Sequence, residues 1–238
     1  MNKALYPVII LAGGLATRLR PLSETIPKSM IDINGKPFID YQLTWLNREG
    51  IRDVIIAAGH LGETLAAHVG DGHQYGLNVQ FVFDGKELAG TAGAIRNIKN
   101  QLPEHFFVLY GDSYLQCDFA AIQQSFELAH KLALMTVYEN RNSGDKSNVE
   151  FNHGEIICYD KIHSTDRMHH IDYGLGLFSK EAFDLIPKHG AYDLADLYKL
   201  LVDRKTLSAY EVSARFYEIG SYQGISDITD FFKKQELL

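Results

Sequence analysis

An unbroken apolar run that stops at two glycines is the feature that most limits how this chain can fold. The run covers residues 8–12 and is followed directly by Gly13 and Gly14. Such a run predicts a strand buried on both faces, which is typical of a parallel sheet covered by helices. Paired glycines at its end allow a tight turn and a close approach of another group to the main chain. We therefore expect a sheet strand that ends in a binding loop.

Basic residues after the turn indicate what this loop binds. Arg18 comes shortly after Gly14, and Lys28 follows Pro27. Cationic side chains beside a glycine turn can hold negative charge, so the pattern favours a phosphate-binding loop. The loop lacks both the Gly-Lys-Ser/Thr ending of a P-loop and the dinucleotide fingerprint. An ordinary turn at the end of a first strand is the alternative.

Strand and helix patterns alternate beyond the loop. They predict a helix over 37–49, a strand over 54–58, a helix over 62–69 and a strand over 79–83. This alternation calls for a parallel sheet with right-handed crossovers, whose ligands bind at the carboxyl ends of the strands. The predicted fold class is therefore α/β, with a Rossmann-like, doubly wound, mixed but mainly parallel sheet flanked by helices.

The second half of the chain adds a different pattern. Turn residues at 152–154 separate two short alternating runs, which predicts a β-hairpin. A strand with two glycines follows at 171–178, and glycines inside a strand signal close backbone approach. We expect one domain over 1–238, with halves at about 1–117 and about 118–238, the second of which contains a small β-rich lobe.

Charge and cysteine usage exclude several classes of protein. The net charge of −7 argues against a general nucleic-acid binder, which needs a basic surface. No segment approaches the roughly 20 apolar residues that cross a bilayer. Cys117 and Cys158 belong to no metal-type cluster, which suits a reduced compartment. We expect a cytoplasmic protein that contacts neither nucleic acid nor membrane and is a monomer or small homo-oligomer.

An acidic residue follows the next buried strand. The apolar run 106–110 ends in Gly111 and Asp112. A carboxylate at the end of a central strand is well placed to hold Mg²⁺, an ion that takes oxygen ligands and often bridges carboxylates and substrate phosphates. The alternative is that Asp112 caps the helix beginning near Asp118.

These motifs together resemble a known family. Residues 11–21, with Pro27 and Lys28, resemble the signature Leu-Ala-Gly-Gly-x-Gly-Thr-Arg-Leu-x-Pro and later Pro-Lys of the sugar-1-phosphate nucleotidyltransferases. The chain is similar to small members such as heptose-1-phosphate guanylyltransferase and N-acetylmuramate-1-phosphate uridylyltransferase. It departs from the signature at Ala16, where a third glycine is usual, and alanine narrows the allowed backbone angles.

The resemblance implies a Mg²⁺-dependent transfer of a nucleoside monophosphate from a nucleoside triphosphate to a sugar 1-phosphate, releasing pyrophosphate. It assigns the catalytic roles to Arg18, Lys28 and Asp112. The implied nucleotide contacts are Leu11, Ala12, Gly13, Gly14, Thr17, Arg18, Lys28, Glu87, Gly90 and Thr91. For Gly90 and Thr91, the alternative is a capped turn in which Thr91 is the N-cap of the following helix.

The resemblance also implies that about 1–117 is the nucleotide-binding half and that about 118–238 is the sugar-binding half, with its small β-rich sugar-binding lobe. It further implies a sugar-phosphate site and a second metal ligand. The sugar-phosphate residues are Ser113, Asn148, Asp160, Lys161, Asp172 and Gly174. Asp160 and Lys161 stand where the family has Glu-Lys, and a solvated ion pair at a strand end is the alternative. Glu218 stands where many members have the metal-binding aspartate, and an ordinary acid at a helix N-terminus is the alternative.

Two other functions share part of this pattern. A glycosyltransferase of the GT-A type uses a nucleotide sugar on a related sheet, but such enzymes usually show Asp-x-Asp, whereas this chain has Asp112, Ser113 and Tyr114. A non-catalytic nucleotide-sugar sensor is the third possibility, and the presence of Arg18 and Lys28 weighs against it.

Overall fold

The computed structural model describes residues 3–14, 19, 24–83, 89–141 and 145–236. In chain order, the strands are β1 (Val8–Ala12), β2 (Asp32–Ile33), β3 (Lys36–Pro37), β4 (Asp53–Ala58), β5 (Asn78–Phe83), β6 (His105–Tyr110), β7 (Ser113–Tyr114), β8 (Ala133–Glu139), β9 (Val149–Asn152), β10 (Glu155–Tyr159), β11 (His170–Ser179), β12 (Leu207–Val212) and β13 (Tyr217–Glu218). The α-helices are α1 (Phe38–Arg48), α2 (Gly62–Val69), α3 (Thr91–Ile98), α4 (Phe119–Ala129), α5 (Leu194–Asp203) and α6 (Tyr222–Glu236).

The chain divides into two compact units. One unit, here called the loop unit, comprises Pro7–Gly85, Leu109–Leu115 and Phe216–Leu238. The other, here called the lobe unit, comprises Met1–Tyr6, Lys86–Val108 and Gln116–Arg215. Strand β6 contributes residues to both units. The expected single domain over 1–238, with halves at about 1–117 and 118–238, stays a prediction.

The loop unit is built on parallel strands. Strand β1 pairs with β4, and β4 pairs with β5, all in parallel. Val8, Ile9 and Ile10 are fully buried, which confirms the strand expected from the apolar run. Glycine allows α2 to pack closely, because a Cβ at Gly62 would lie 2.8 Å from the Cβ of Ala58. The first three residues of β1 are therefore enclosed, and its partly buried carboxyl end, Leu11 and Ala12, is the part that can meet a ligand.

Aromatic side chains attach α6 to the rest of the loop unit. The ring of Phe232 stacks on Tyr41 of α1 with centroids 4.1 Å apart, and it meets Tyr114 of β7 edge to face at 4.9 Å. Tyr114 also packs against Trp45 of α1 at 5.6 Å. Buried aromatic pairs of this kind add stability beyond the apolar area that they bury. They hold α1, β7 and α6 together beside the turn that carries Asp112.

The lobe unit contains the predicted hairpin. Strands β9 and β10 pair antiparallel, β11 pairs antiparallel with β8 and β9, and β12 runs parallel to β8. The expected close approach at the glycine-containing strand is confirmed, since a Cβ at Gly176 would lie 2.7 Å from the ring of Phe178 and would also strike the hydroxyl of Tyr198.

The predicted fold class, an α/β fold with a mixed, mainly parallel sheet flanked by helices, is confirmed. The expected helices and strands occur with ends that differ by a few residues. Strands β2, β3, β7 and β13 were not predicted, because two residues are too few to show a period of two. Among the described helices, none combines the length and apolar character that crossing a bilayer requires.

Candidate functional site

Gly14, the second glycine after β1, is exposed, and a Cβ placed on it would meet no described atom within 4 Å. Among the described residues, packing therefore does not require glycine at this position. Thr17 and Arg18 of the predicted loop, the unusual Ala16, and Glu87 lie outside the described residues.

The turn that carries Asp112 does demand a glycine. The N–H of Gly111 donates to the carbonyl oxygen of Leu11 at 3.0 Å, and a Cβ on Gly111 would lie 2.7 Å from that oxygen. Only a residue without a side chain can approach β1 this closely. The close packing places Asp112 beside the end of β1, as the order of elements predicted.

Lys28 and Asp112 form an ion pair next to this turn. Lys28 opens a short 3₁₀ turn after Pro27, and its Nζ lies 2.5 Å from Oδ2 of Asp112. The side chains of Lys28 and Asp112 are 17% and 31% exposed, so the pair is only partly shielded from solvent. The hydroxyl of Ser113 lies 3.3 Å from Oδ1 of Asp112. Two residues distant in sequence are thus brought together as opposite charges.

Asp112 does not cap the next helix. The carboxylate of Asp118 accepts a hydrogen bond from the N–H of Ala121 at 3.0 Å and is the N-cap of α4. The capping alternative for Asp112 is therefore wrong, because the following acid already serves that purpose. The side chain of Asp112 remains available for charge chemistry.

The backbone segments that carry Glu218 and Asp112 lie side by side. Strand β13 pairs with β7, with Glu218 opposite Ser113, and the N–H of Ile219 donates to the carbonyl oxygen of Asp112 at 2.9 Å. The two acids predicted to bind metal thus occupy neighbouring segments of the loop unit. This pairing was invisible in the sequence, since each strand has only two residues.

The carboxylate of Glu218 is engaged at the start of α6. It accepts hydrogen bonds from the N–H of Gly220 and from the hydroxyl of Ser221, the latter at 2.6 Å. A Cβ on Gly224 would overlap this carboxylate, so glycine there makes room for it. These contacts are those expected of an acid at a helix N-terminus, the alternative given for Glu218. The extra methylene of glutamate lets the carboxylate fold back toward the helix.

The side chains near Asp112 and Glu218 can be compared with the ligands that a metal ion needs. No group of three or more His, Cys, Asp or Glu side chains arranged for a metal occurs among them. Asp112 and Glu218 offer hard carboxylate oxygens, which suit Mg²⁺. Such an ion is commonly held by one or two carboxylates plus substrate phosphates. The donor set therefore fits a cation that takes its other ligands from a bound triphosphate.

Gly90 and Thr91 lie in the lobe unit, where they join two helices. Helix α3 starts at Thr91 with Gly90 as its N-cap at φ +72°. A Cβ on Gly90 would lie 2.7 Å from the carbonyl oxygen of Tyr192. The N-cap of α3 is therefore Gly90, and the alternative in which Thr91 is the N-cap is wrong. Glycine is required here by both the backbone conformation and the neighbouring chain.

The side chain of Thr91 is bonded to the start of α5. Its Oγ1 accepts a hydrogen bond from the N–H of Leu194 at 2.7 Å, and its own N–H donates to Oδ1 of Asp193 at 3.3 Å. Each helix thus supplies a side chain that satisfies an N-terminal N–H of the other helix. Asp193 was missed in the sequence, because a cap that acts on a distant helix leaves no local signal.

Asp160 is held by its own turn. Its Oδ1 accepts hydrogen bonds from the N–H groups of Ile162 and His163 at 2.7 and 3.0 Å. Its Oδ2 lies 3.2 Å from Nζ of Lys199 on α5. The two backbone donors, followed by Lys199, hold the pKa of Asp160 well below its ordinary value. Asp160 and Lys161 do not pair with each other in the contacts described.

Four of the predicted sugar-phosphate residues form one cluster around Asp172, whose side chain is 3% exposed. Oδ2 of Asp172 lies 3.5 Å from Nζ of Lys161 and 3.2 Å from the hydroxyl of Tyr159. Its Oδ1 accepts from the N–H of Gly174 at 3.1 Å, and its N–H donates to Oδ1 of Asn148 at 3.0 Å. Sequence reasoning missed Tyr159. Of the two predicted residues outside the cluster, Asp160 is held by its own turn and Ser113 belongs to the loop unit.

Comparison with known proteins adds independent findings. The family model described as "Nucleotidyl transferase" matches residues 7–234. A UTP–glucose-1-phosphate uridylyltransferase from Synechocystis is 29% identical over 225 residues, which are 87% of this chain and 58% of that protein. An N-acetylmuramate α-1-phosphate uridylyltransferase from Neisseria meningitidis is 28% identical over 229 residues, which are 90% of this chain and 92% of that protein. The chain thus spans less than two thirds of the Synechocystis relative.

A solved structure shares the whole fold. The crystal structure of HddC from Yersinia pseudotuberculosis superposes with a TM-score of 0.80 at 25% sequence identity. The match covers 96% of this chain and all of that chain. The fold of this chain is therefore one already known in three dimensions.

Proposed function

Because this chain belongs to the nucleotidyl transferase family, we propose that it transfers a nucleoside monophosphate from a nucleoside triphosphate to a sugar 1-phosphate. The products are a nucleotide sugar, used as a precursor of cell-surface glycans or polysaccharides, and pyrophosphate. The names of the Synechocystis and Neisseria relatives, both sugar-1-phosphate uridylyltransferases, support this reaction class.

One observation carries the proposal. An ammonium group and a carboxylate, those of Lys28 and Asp112, meet 2.5 Å apart in the unit that contains Gly13 and Gly14. Phosphoryl transfer needs positioning and electrostatic stabilisation more than a protein nucleophile. A cation for the phosphates and an acid for a metal are the groups that this chemistry requires.

The nucleoside triphosphate is assigned to the glycine turn. The proposed contacts are Leu11, Ala12, Gly13, Gly14, Thr17, Arg18, Lys28, Glu87, Gly90 and Thr91. Gly14 is exposed and a Cβ on it would meet no described atom, which supports an approach of the phosphates to the main chain there. Since the Thr91 hydroxyl is bonded to α5, the proposed contribution of Gly90 and Thr91 is backbone surface for the base and ribose.

Mg²⁺ is the proposed cofactor, with Asp112 and Glu218 as its protein ligands. When bound, the ion neutralises charge on the triphosphate and orients it for attack. Asp112 would then exchange its contact with Lys28 for the ion, which leaves the ammonium of Lys28 to a phosphate oxygen. Glu218 must turn away from Gly220 and Ser221 to serve as a ligand.

The sugar 1-phosphate is assigned to Ser113, Asn148, Asp160, Lys161, Asp172 and Gly174. The cluster around Asp172 supports this assignment, because it combines one cation with hydrogen-bonding groups of both kinds. Lys161 would bind the phosphate, and Asp172 and Asn148 would accept hydrogen bonds from sugar hydroxyls. Asp160 would act by keeping the turn after β10 in place.

The reaction is then an in-line displacement. A phosphate oxygen of the sugar 1-phosphate forms a bond to the α-phosphorus, and the bond from that phosphorus to the oxygen bridging to the β-phosphate breaks. Pyrophosphate leaves with both electrons of that bond. Lys28 stabilises charge on the reacting phosphates and Arg18 stabilises the leaving group, while no protein side chain becomes covalently attached.

The proposed setting follows from the substrates. Both substrates are small anionic metabolites, and the proposed enzyme acts in the cytoplasm as a monomer or small homo-oligomer, without nucleic acid or membrane.

A pyrophosphate-release matrix tests the function. Each of GTP, UTP, dTTP and CTP is combined with each of a panel of sugar 1-phosphates, with Mg²⁺ present and with chelator as the control. We expect one combination to release pyrophosphate in equal amount to the nucleotide sugar formed. Release of a nucleoside diphosphate from a nucleotide sugar would instead indicate a glycosyltransferase, and tight binding without turnover would indicate a sensor.

A further inference from the structure

Gln42 is a buried amide that joins the two sides of the turn carrying Asp112. It lies on α1 and is fully buried. Its Nε2 donates to the carbonyl oxygen of Tyr110 at 3.1 Å and to that of Ser113 at 2.7 Å. Tyr110 precedes the turn and Ser113 follows it, so one side chain spans Gly111 and Asp112.

The described residues leave the other half of this amide without a partner. Oε1 of Gln42 is buried and has no hydrogen-bond partner among the described residues. A buried polar atom without a partner lowers stability, so Oε1 does not explain the amide. The two donated bonds do explain it, because they satisfy the carbonyl oxygens on both sides of the turn and restrain the backbone between them.

Those bonds complete a set that holds the Asp112 backbone from several directions. The N–H of Gly111 donates to β1, and the carbonyl oxygen of Asp112 accepts from Ile219 after β13. Trp45, three residues after Gln42 on α1, packs against Tyr114, the residue that follows Ser113. The restraint reaches the carboxylate of Asp112 through the backbone that Gln42 holds, since Gln42 does not touch that carboxylate in the contacts described.

We propose that Gln42 is a positioning residue for Asp112. By bridging Tyr110 and Ser113, it fixes the backbone from which the Asp112 carboxylate meets Lys28 and, in the reaction proposed above, the metal. The inference rests on the proposed function for its catalytic consequence, while its structural part concerns the Lys28–Asp112 pair alone. Residues that orient metal ligands typically change metal affinity or activity by 10- to 100-fold when they are replaced.

The test replaces Gln42 and a matched amide elsewhere. Gln42→Met keeps the length of the side chain and removes both donated bonds. Gln123→Met is the control, because Gln123 is also a buried helical amide with two hydrogen bonds to backbone groups, the N–H of Tyr6 and the carbonyl oxygen of Ala4, but lies in the lobe unit. Thermal unfolding verifies that both variants fold.

Two measurements are made on each variant. The first is the Mg²⁺ concentration that gives half-maximal pyrophosphate release, together with kcat and the KM of each substrate. The second is the rate at which an N-hydroxysuccinimide ester acylates Lys28, followed by peptide mass spectrometry, because an ammonium paired with Asp112 is protected. For Gln42→Met we expect the Mg²⁺ requirement to rise about 10- to 100-fold and Lys28 to react faster.

The outcomes distinguish a failure of the positioning role of Gln42 from a failure of the proposed function. Unchanged Mg²⁺ dependence and Lys28 reactivity in Gln42→Met would overturn the inference, as would equal changes in Gln123→Met. If wild-type protein releases no pyrophosphate from any combination, the proposed function fails, and the Lys28 reactivity still decides on Gln42. Should Gln42→Met not fold, Gln42→Asn is measured instead, because an amide one methylene shorter cannot reach both carbonyls.

Discussion

The two units hold their predicted site residues in different ways. In the loop unit, backbone bonds and close glycine packing hold the turn, and the side chains of Lys28 and Asp112 contact each other at a half-shielded surface. In the lobe unit, the motif residues Gly90 and Thr91 are themselves part of the joint between α3 and α5. A residue of a sequence motif can therefore serve either ligand binding or packing. Its hydrogen bonds and packing contacts in the folded protein indicate which of the two it serves.

Two predicted site residues within the lobe unit, Asp160 and Asp172, also differ in their contacts. Asp160 is bound by the N–H groups of its own turn and by Lys199. Asp172 is buried in a cluster that includes Lys161 and Tyr159. Asp160 and Asp172 are both expected to bind the sugar 1-phosphate, but Asp160 stabilises its own turn whereas Asp172 belongs to a buried side-chain cluster. Two kinds of residue are replaced in the predictions below: those proposed to act in the reaction and those whose contacts stabilise the fold. The first kind should change turnover, and the second kind should change stability.

The largest expected effect is that of Asp112→Asn. The change removes the negative charge and keeps the shape, so the turn held by Gly111 and Ile219 should persist. We expect turnover to fall roughly 1000-fold, as for the loss of a preorganised charge in an active site, with little change in Tm. Steady-state pyrophosphate release and thermal unfolding measure the two quantities.

The matched control for this variant is Asp32→Asn. Asp32 is an exposed acid of the same unit whose carboxylate accepts from the N–H of Gly35 in a turn. It should retain wild-type turnover. Near-normal activity of Asp112→Asn would remove Asp112 from the metal site and leave the pair with Lys28 as a structural contact only.

A smaller effect, on stability, is expected for Thr91→Val. Valine removes the oxygen that accepts from the N–H of Leu194, so one N-terminal N–H of α5 loses its partner. Loss of such a cap costs about 1 kcal/mol of unfolding free energy. Chemical denaturation should detect this loss, whereas the KM for the nucleoside triphosphate should stay the same.

Thr206→Val is the control for that change, because the hydroxyl of Thr206 makes only a long 3.5 Å contact in the same unit. It should unfold at nearly the wild-type denaturant concentration. A raised KM in Thr91→Val with unchanged stability would reverse the interpretation, since it would assign the hydroxyl to the nucleotide instead of to α5.

The smallest effect concerns the pH dependence of stability at Asp160. Its pKa is lowered in the folded protein by the N–H groups of His163 and Ile162. The ionised carboxylate therefore stabilises the fold at pH values above its unfolded pKa of about 3.9, and this contribution is lost as the pH falls below that value. Wild type should have a higher Tm than Asp160→Asn at pH 6, and the difference should shrink toward pH 3.

Asp166→Asn provides the comparison for this measurement, because Asp166 is another exposed acid of the lobe unit. Its Tm should follow that of wild type at both pH values. A Tm difference between wild type and Asp160→Asn that is constant from pH 6 to pH 3 would show that the turn after β10 does not depend on the charge of Asp160.

Much of the fold was predictable because it depends on local patterns. The buried run of β1, the helix spacing of α1 and the hairpin of β9 and β10 are each visible within a few neighbouring residues. The candidate site was predictable where a motif and its chemistry coincide, as at Lys28 and Asp112. Whether Thr17, Arg18 and Glu87 serve the nucleotide stays a prediction, since they lie outside the described residues.

Other parts depend on contacts between distant segments. Strands β7 and β13 consist of two residues each, and only their pairing brings Glu218 beside Asp112. Gln42 and Asp193 carry no motif, and their roles follow from carbonyl and amide groups about 70 and 100 residues away in the chain. A side chain that satisfies a remote backbone group leaves no periodic signal.

The sequence by itself determined the alternation of strands and helices, the glycine turn at the end of β1 and the residue types that suit phosphate chemistry. It did so because apolar periodicity and glycine act locally on the backbone. Tertiary structure alone decided that Lys28 pairs with Asp112, that Thr91 is bonded to α5 and that Glu218 faces α6. The physical reason is that a hydrogen bond or ion pair selects among several possible partners by distance, which is set only when the chain has folded.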